Sequence, residues 1–264
     1  MQTLIMNFTR IYEDQEFCKG PDFQWIHCEE MQGTDCYLDP DTENKLRKKI
    51  SAFPLHGLHF IDSGNTHYMS KLWTDRIQEP FTLLVFDHHS DMKDPLFDGI
   101  LSCGNWIKAS LDKNPNLKKL ILLGVGDDHV SEIDSKYLPR MDILKQSECI
   151  HPDFAHLFTF DKDFFKYPIY ISIDKDVLLE KIVHTNWDGG SFTLQNLFKI
   201  LSKIFEKGKV LGVDICGEPS EQDEEQVLLY EAESDRVNGE LVKFFSRHQP
   251  VRSICWCGQA EYFQ

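Results

Sequence analysis

The chain has few features of an exported, membrane-bound or nucleic-acid-binding protein. Its longest apolar runs, such as 120–123, are far shorter than the roughly 18 residues that cross a bilayer, so no transmembrane helix is predicted. The start lacks the basic segment and long apolar stretch of a signal peptide. The formal charge of −15 repels phosphate backbones. We therefore expect a cytoplasmic protein with neither a nucleic-acid nor a membrane partner.

The eight cysteines do not show the spacing of a disulfide framework, and no internal repeat or low-complexity linker interrupts the chain. Reduced thiols are therefore expected. The length of 264 residues and the 41% hydrophobic content suit one domain covering residues 1–264. Residues 1–55 have the least distinct pattern, and we expect them to add a strand or to form a covering loop.

Short, almost continuously apolar runs alternate with segments that have helical spacing of apolar residues. Such runs are typical of strands that are buried on both faces. Residues 194–205 show the helical spacing most clearly. The alternation predicts a three-layer α/β/α sandwich with a mainly parallel central sheet. The predicted strands cover residues 58–61, 83–86, 120–123, 169–173 and 210–213.

Acidic residues and a histidine follow the second of these runs at two-residue intervals. Asp87, His89 and Asp91 come directly after an apolar strand, where side chains two apart on an extended backbone point the same way. By the same argument His88 should point away from His89. Ligands of open α/β sheets gather at the carboxyl ends of strands, so this motif indicates a binding site. The alternative is a polar loop that caps a buried strand.

A second acidic pair strengthens the metal hypothesis. Asp174 and Asp176 follow the run at 169–173, and His67 lies just past the run at 58–61. Clustered carboxylates without cations would repel one another, whereas two divalent ions would cancel four negative charges. Carboxylate and imidazole ligands suit Mn²⁺, although other divalent metals would also fit, and these positions contain no thiolate for a zinc–sulfur site.

These motifs resemble those of the ureohydrolase superfamily, which includes arginase, agmatinase and formimidoylglutamase. Residues 87–91 are similar to its Asp-x-His-x-Asp motif, residues 172–176 to its Ser-x-Asp-x-Asp motif, and His67 to its first metal histidine. Residues 187–193 are similar to its Gly-Gly-Leu-Thr segment. The resemblance covers about residues 56 to 220 and implies an arginase/deacetylase-like fold.

The resemblance also implies a binuclear centre of two Mn²⁺ ions. Asp87 and Asp174 would bridge the ions, with His67 and Asp91 completing one ligand set and His89 and Asp176 the other. A bridging hydroxide would then hydrolyse a C–N bond of a guanidino-type or amide-like substrate. Arginine, agmatine and arginine within a peptide are equally consistent substrates. The resemblance favours rings of three or six subunits, whereas length and charge say nothing about oligomerisation.

Two positions depart from the family pattern. Cys103 occupies the place of a histidine that transfers a proton to the leaving amine. A thiol there could exchange protons if the metals lowered its pKa, but an inert buried cysteine is the alternative. Glu218 is similar to the glutamate that holds the substrate guanidinium, and the resemblance leaves open whether the alignment is shifted by one residue. It could instead cap the following helix.

Two other functions stay open at this stage. A protein with this fold could keep the metals but have lost catalysis, and the cysteine at position 103 would suit that reading. A related metal deacylase would require zinc and a hydrophobic tunnel. His129 follows a predicted strand, but Asp127 or Asp128 as a helix cap explains that segment equally well. We therefore assign His88 and His129 no metal role.

Overall fold

Parallel strands form the centre of the molecule. The computed structural model describes residues 2–97, 99–149, 163–220 and 224–248. Eight strands form the main sheet in the order β2-β1-β4-β10-β9-β5-β7-β8, and each neighbouring pair is parallel. β3 and β6 form a separate antiparallel pair. The strands are β1 (Thr3–Asn7), β2 (Phe23–His27), β3 (Tyr37–Leu38), β4 (Leu58–Phe60), β5 (Phe81–Phe86), β6 (Leu101–Ser102), β7 (Leu117–Val125), β8 (Met141–Lys145), β9 (Ile169–Asp174) and β10 (Val210–Cys216).

Helices cover both faces of this sheet. Leu83 and Val85 of β5 belong to one hydrophobic cluster, and Leu84 and Phe86 belong to the other. The helices at residues 69–74 and 106–113 pack in the first cluster, and those at 194–207 and 224–247 pack in the second. The helices are α1 (Pro40–Ser51), α2 (Met69–Thr74), α3 (Trp106–Lys113), α4 (Asp127–Val130), α5 (Gln146–Cys149), α6 (Leu194–Lys207) and α7 (Glu224–Arg247).

The predicted three-layer α/β/α architecture is therefore confirmed. All five predicted runs are strands, and the predicted helix over 194–205 is α6, capped by the Thr193 side chain. Residues 1–55 contribute β1, β2, β3 and α1, so they extend the sheet. None of the six cysteines within the described ranges forms a disulfide bond. None of the described helices has the length and apolarity needed to cross a membrane.

The strand order brings the site-bearing loops together. Phe86 of β5 lies opposite Ile173 of β9, and Cys216 of β10 lies opposite Asp174. The carboxyl ends of these strands consequently meet at one edge of the sheet. Asp62, just after β4, accepts hydrogen bonds from the backbone N–H groups of Phe8 and Thr9 at 2.7 and 2.9 Å. The N-terminal segment thus fixes the loop that leads to His67.

A buried histidine in β4 should make the fold sensitive to acid. Burial lowers the pKa of His59, which stacks on Trp73, from 6.5 to about 3. Between these values only the unfolded chain binds the proton, so stability falls as the pH falls below 6.5. The loss due to His59 at pH 5 is about 2 kcal/mol. We expect His59→Phe to remove this part of the pH dependence in chemical unfolding at pH 7 and pH 5.

Replacement of the exposed His27 by Phe provides the control and should retain the wild-type slope. An equally steep loss of stability in His59→Phe and in the wild type would contradict this account.

Candidate metal centre

His67 lies at the centre of the predicted ligand set. It follows the short 3-10 helix Gly64–Thr66 and is fully buried. Its Nδ1 atom lies 3.3 Å from Asp87 Oδ2, 3.1 Å from Asp91 Oδ2 and 3.5 Å from Asp174 Oδ2. Three carboxylates from two different strand ends therefore converge on one imidazole nitrogen.

The other nitrogen of His67 is held by a hydroxyl network. His67 Nε2 lies 2.9 Å from Ser172 Oγ, and the Ser172 and Ser70 hydroxyls both donate to Asp214 Oδ1, at 2.6 and 2.9 Å. Because the Ser172 hydroxyl donates its hydrogen to Asp214, Ser172 Oγ accepts a hydrogen bond from His67 Nε2–H. Such an outer partner fixes the tautomer of a metal-binding histidine and directs the Nδ1 lone pair toward the carboxylates.

A cation would stabilise the region where that lone pair meets the carboxylates. Burial opposes a charged His67 ring, but Cys216, Asp87 and Asp91 outweigh it and raise the pKa of the imidazole well above its ordinary value. Asp87 Oδ2 is buried and accepts no hydrogen bond, although His67 Nδ1 lies 3.3 Å away. Donor atoms that face one another without a hydrogen bond suit a shared metal ion.

His89 organises a second group of ligands. Its Nδ1 atom lies 2.9 Å from Asp176 Oδ2 and 3.6 Å from Asp87 Oδ1. Burial opposes the charged His89 ring, but its hydrogen bonds with Asp176 and Asp87 raise its pKa to about 12. Burial, with the charges of Asp174 and Asp87, raises the pKa of Asp176 well above its usual range. Ionised carboxylates here need cations close by.

The predicted ligands therefore form two overlapping groups. The ligand atoms of each group lie within 4.8 Å of one another, and Asp87 belongs to both. Asp174 contacts the first group through His67 and contacts the second by accepting the Asp176 N–H. Carboxylates and imidazoles in this arrangement fit two divalent cations, which would offset the negative charge of the carboxylates. The groups are His67 with Asp87 and Asp91, and Asp87 with His89 and Asp176.

The three ligands of the first motif do not lie on an extended strand, contrary to what the alternation argument predicted. β5 ends at Phe86, and Asp91 has a left-handed backbone with φ of 47°. The three ligands thus converge from a loop. The expectation that His88 points away from His89 is wrong, since their ring centroids are 5.3 Å apart. Both rings contact Asp188, His88 Nε2 at 3.2 Å and His89 Nε2 at 3.1 Å.

The sequence motifs gave Asp188 no predicted role, yet it contacts both histidines. Its Oδ1 atom contacts the nitrogen of His89 that points away from Asp176. A carboxylate in this position orients a metal-binding imidazole and increases its basicity. Asp188 also forms a group with His88 and His129 whose ligand atoms lie within 4.8 Å of one another. Its position before the Gly-Gly pair was the available signal.

Loss of this outer carboxylate should weaken metal binding without unfolding the chain. The Asp188 side chain is 68% exposed, so Asp188→Ala removes little packing. We expect the affinity for the ion at His89 to fall by roughly 10- to 100-fold, the usual cost of losing an outer partner. Isothermal titration with Mn²⁺ would measure this change. Asp142→Ala, at another exposed carboxylate, is the control, and equal affinities in both variants would contradict the assignment.

Glu218 is not among the described residues that line the small cavity at the centre. It is fully buried, forms an ion pair with Lys175, and accepts further hydrogen bonds from Gln15, Ser234 and Asn238. No oxygen is left for a substrate guanidinium. The adjacent Gly217 faces the centre, because a Cβ added there would lie 2.6 Å from Asp174 Oδ1. The position beside Asp174 is thus that of Gly217, and the predicted guanidinium contact of Glu218 has no geometric support.

Two cysteines lie near the ligands. Cys103 lines a cavity of about 40 Å³ at the centre, together with Lys93 and Trp187. A hydrogen bond with Cys36, together with burial, raises the pKa of the Cys103 thiol. Cys216 Sγ lies 3.1 Å from Asp174 Oδ2, and burial together with Asp174 raises its pKa well above the ordinary value. The strand-end argument that identified Asp174 would also have identified Cys216.

Comparison with known proteins finds a matching family and a related protein. A family model described as the arginase family matches residues 40–228. An uncharacterised protein of Thermotoga maritima is 30% identical over 216 residues, which cover 81% of this chain and 79% of that protein.

Solved structures show the same fold at low sequence identity. Trypanosoma cruzi formiminoglutamase with Mn²⁺ has a TM-score of 0.63 and 13% identity, covering 94% of this chain and 93% of the other. The agmatine ureohydrolase of Thermoplasma volcanium has a TM-score of 0.64 and 11% identity, covering 94% and 89%. With a family match over most of its length and the ligand motifs in place, the chain belongs to the arginase family.

Proposed function

We propose that the chain is a metal-dependent hydrolase that cleaves a C–N bond of a guanidino-type substrate. One observation carries the proposal: His67 Nδ1, with Nε2–H committed to Ser172, faces three carboxylates. Two divalent cations bound there would lower the pKa of a water and stabilise charge on the attacked carbon. Oxygen and nitrogen donors favour Mn²⁺, the metal found with the T. cruzi formiminoglutamase.

The cavity is large enough for the reacting group of a substrate but not for a whole substrate molecule. The cavity, with a volume of about 40 Å³, has room for a few water molecules. Trp187 forms part of the rim and is fixed by a 3.0 Å hydrogen bond from its Nε1 to Asn65 Oδ1. A planar guanidino group is small enough for this space, whereas the remainder of a substrate would lie outside the rim.

A larger groove beside the cavity could hold that remainder. It measures about 660 Å³ and shares Lys93 with the cavity. Pro95 and Gly99 line it, and Leu96 and Phe97 of the same loop are each 70% exposed. Exposed apolar side chains beside a charged groove are typical of a surface that binds a macromolecule. Among the predicted substrates, arginine within a peptide is therefore favoured over agmatine.

Cys103 stays a candidate for proton transfer to the leaving amine. It lines the cavity, but the raised pKa of its thiol makes it a weak proton donor, so its position is what supports the role. The alternative of a deacylase finds little support, because Trp187 is the one large apolar side chain that lines the described part of the cavity. A non-catalytic metal-binding protein would keep the same ligands, and only an assay separates it from an enzyme.

The test is product release after Mn²⁺ loading of the purified, metal-depleted chain. Urea would be measured from arginine, agmatine and short peptides that contain arginine, and formamide from formimidoylglutamate. We expect urea release, fastest from the peptides. Asp94→Asn, at an exposed carboxylate after the first motif, should keep full activity. Metal binding without release from any substrate would contradict the hydrolase proposal and favour the non-catalytic alternative.

A further inference from the structure

Cys216 occupies a ligand position that no motif identified. It is the last residue of β10 and lies directly opposite Asp174 in the register of β9. Its side chain is completely buried, and its Sγ atom lies 3.1 Å from Asp174 Oδ2. The strand that places Cys216 thus aims its sulfur at a carboxylate of the metal centre.

The sulfur belongs to the same group of donors as His67. The ligand atoms of His67, Asp174 and Cys216 lie within 4.8 Å of one another. His67 Nδ1 is also 3.1 Å from Asp91 Oδ2 and 3.3 Å from Asp87 Oδ2. One ion at this point would therefore have nitrogen, oxygen and sulfur donors around it.

The second group has a different chemical character. Asp87, His89 and Asp176 offer only oxygen and nitrogen. Cys103 lines the cavity as well, but it is not a member of any of these donor groups within the described residues. The two metal positions are therefore inequivalent, and Cys216 is the group that distinguishes them.

We propose that Cys216 is a thiolate ligand of the ion held by His67 and Asp91, and that this position prefers a borderline metal such as Zn²⁺ or Co²⁺ over Mn²⁺. On binding, the thiol proton leaves to solvent and a metal–sulfur bond forms, with no change in oxidation state. Soft thiolates select such metals, whereas carboxylates suit Mn²⁺. The inference rests on the proposed function, because it concerns the same pair of metal positions.

Cobalt provides a test that does not depend on activity. Co²⁺ would be titrated into the metal-depleted chain while the near-ultraviolet spectrum is recorded, because a cobalt–thiolate bond produces a charge-transfer band. We expect the band in the wild type and in Cys103→Ser, the control for the other cysteine of the cavity. The band should be absent from Cys216→Ser and from Cys216→Ala, although both variants should still bind cobalt.

Metal preference gives a second readout. With Zn²⁺ and Mn²⁺ in equal concentration, elemental analysis should show that Cys216→Ser shifts the bound metal toward Mn²⁺ by roughly tenfold. Cobalt binding to the wild type without the band, or a band that persists in Cys216→Ser, would overturn this inference alone. Absence of any cobalt binding would overturn the inference and the proposed function together.

Discussion

Replacement of Asp174 by Asn should abolish binding of both ions and lower product release by at least about a thousandfold, which corresponds to about 4 kcal/mol of transition-state stabilisation. Asp174 contacts His67 through Oδ2 and accepts the Asp176 N–H through Oδ1, so it links the two ligand groups. An amide keeps the size of the side chain but removes a negative charge that two cations need. Elemental analysis after gel filtration and the urea assay would measure both effects.

The control for this variant is again Asp94→Asn, whose side chain is 88% exposed. It makes the same chemical change a few residues beyond Asp91 and should retain full metal content. If Asp174→Asn kept two ions per chain, the assignment of Asp174 as the residue that joins the two positions would be lost.

Replacement of Lys175 by Met should cost about 3–5 kcal/mol of unfolding free energy, the usual result of breaking a buried ion pair. Lys175 and Glu218 are both completely inaccessible to solvent. Without the ammonium group, the Glu218 carboxylate keeps only neutral donors, among them Gln15 Nε2 at 2.8 Å. For a chain of this length the loss corresponds to a fall in Tm on the order of 10 °C. Chemical denaturation would measure the free energy directly.

Two further variants show whether charge causes this loss. Lys175→Met combined with Glu218→Leu removes both charges and should recover much of the stability, since apolar pairs often replace buried ion pairs at little cost. Lys209→Met breaks the exposed pair with Glu79 and should change the stability by less than about 1 kcal/mol. If the double variant had the same low unfolding free energy as Lys175→Met, the loss would come from altered packing and not from the unpaired charge.

The main features of the fold were predictable because buried parallel strands have a strong sequence signal. β5 and β9 are fully buried and almost continuously apolar, and acidic residues stand at or just after their carboxyl ends. The order of the strands does not follow from such a pattern. The sequence therefore indicated that Asp87 and Asp174 lie at strand ends, but it did not indicate that the strands are neighbours.

The missed features depend on backbone conformation and on contacts between distant segments. The left-handed backbone at Asp91 and the shared contact of His88 and His89 with Asp188 arise in loops, where alternation does not apply. The positive φ of 95° at Gly217 precedes Glu218, whose side chain is fully buried against Lys175. The contacts of these residues have no local sequence pattern, because they are set by what the fold places nearby.

The order of strands in the sheet has a consequence for the synthesis of the protein. His67 follows β4, and the ligands at 87–91 follow β5. In the sheet these two strands are separated by β10 and β9, which are both synthesised much later. The emerging chain cannot close the sheet until residues 210–216 have left the ribosome, and such distant pairings form slowly. We therefore expect the nascent protein to acquire its metals only near the end of translation, when a late strand brings the two halves of the centre together.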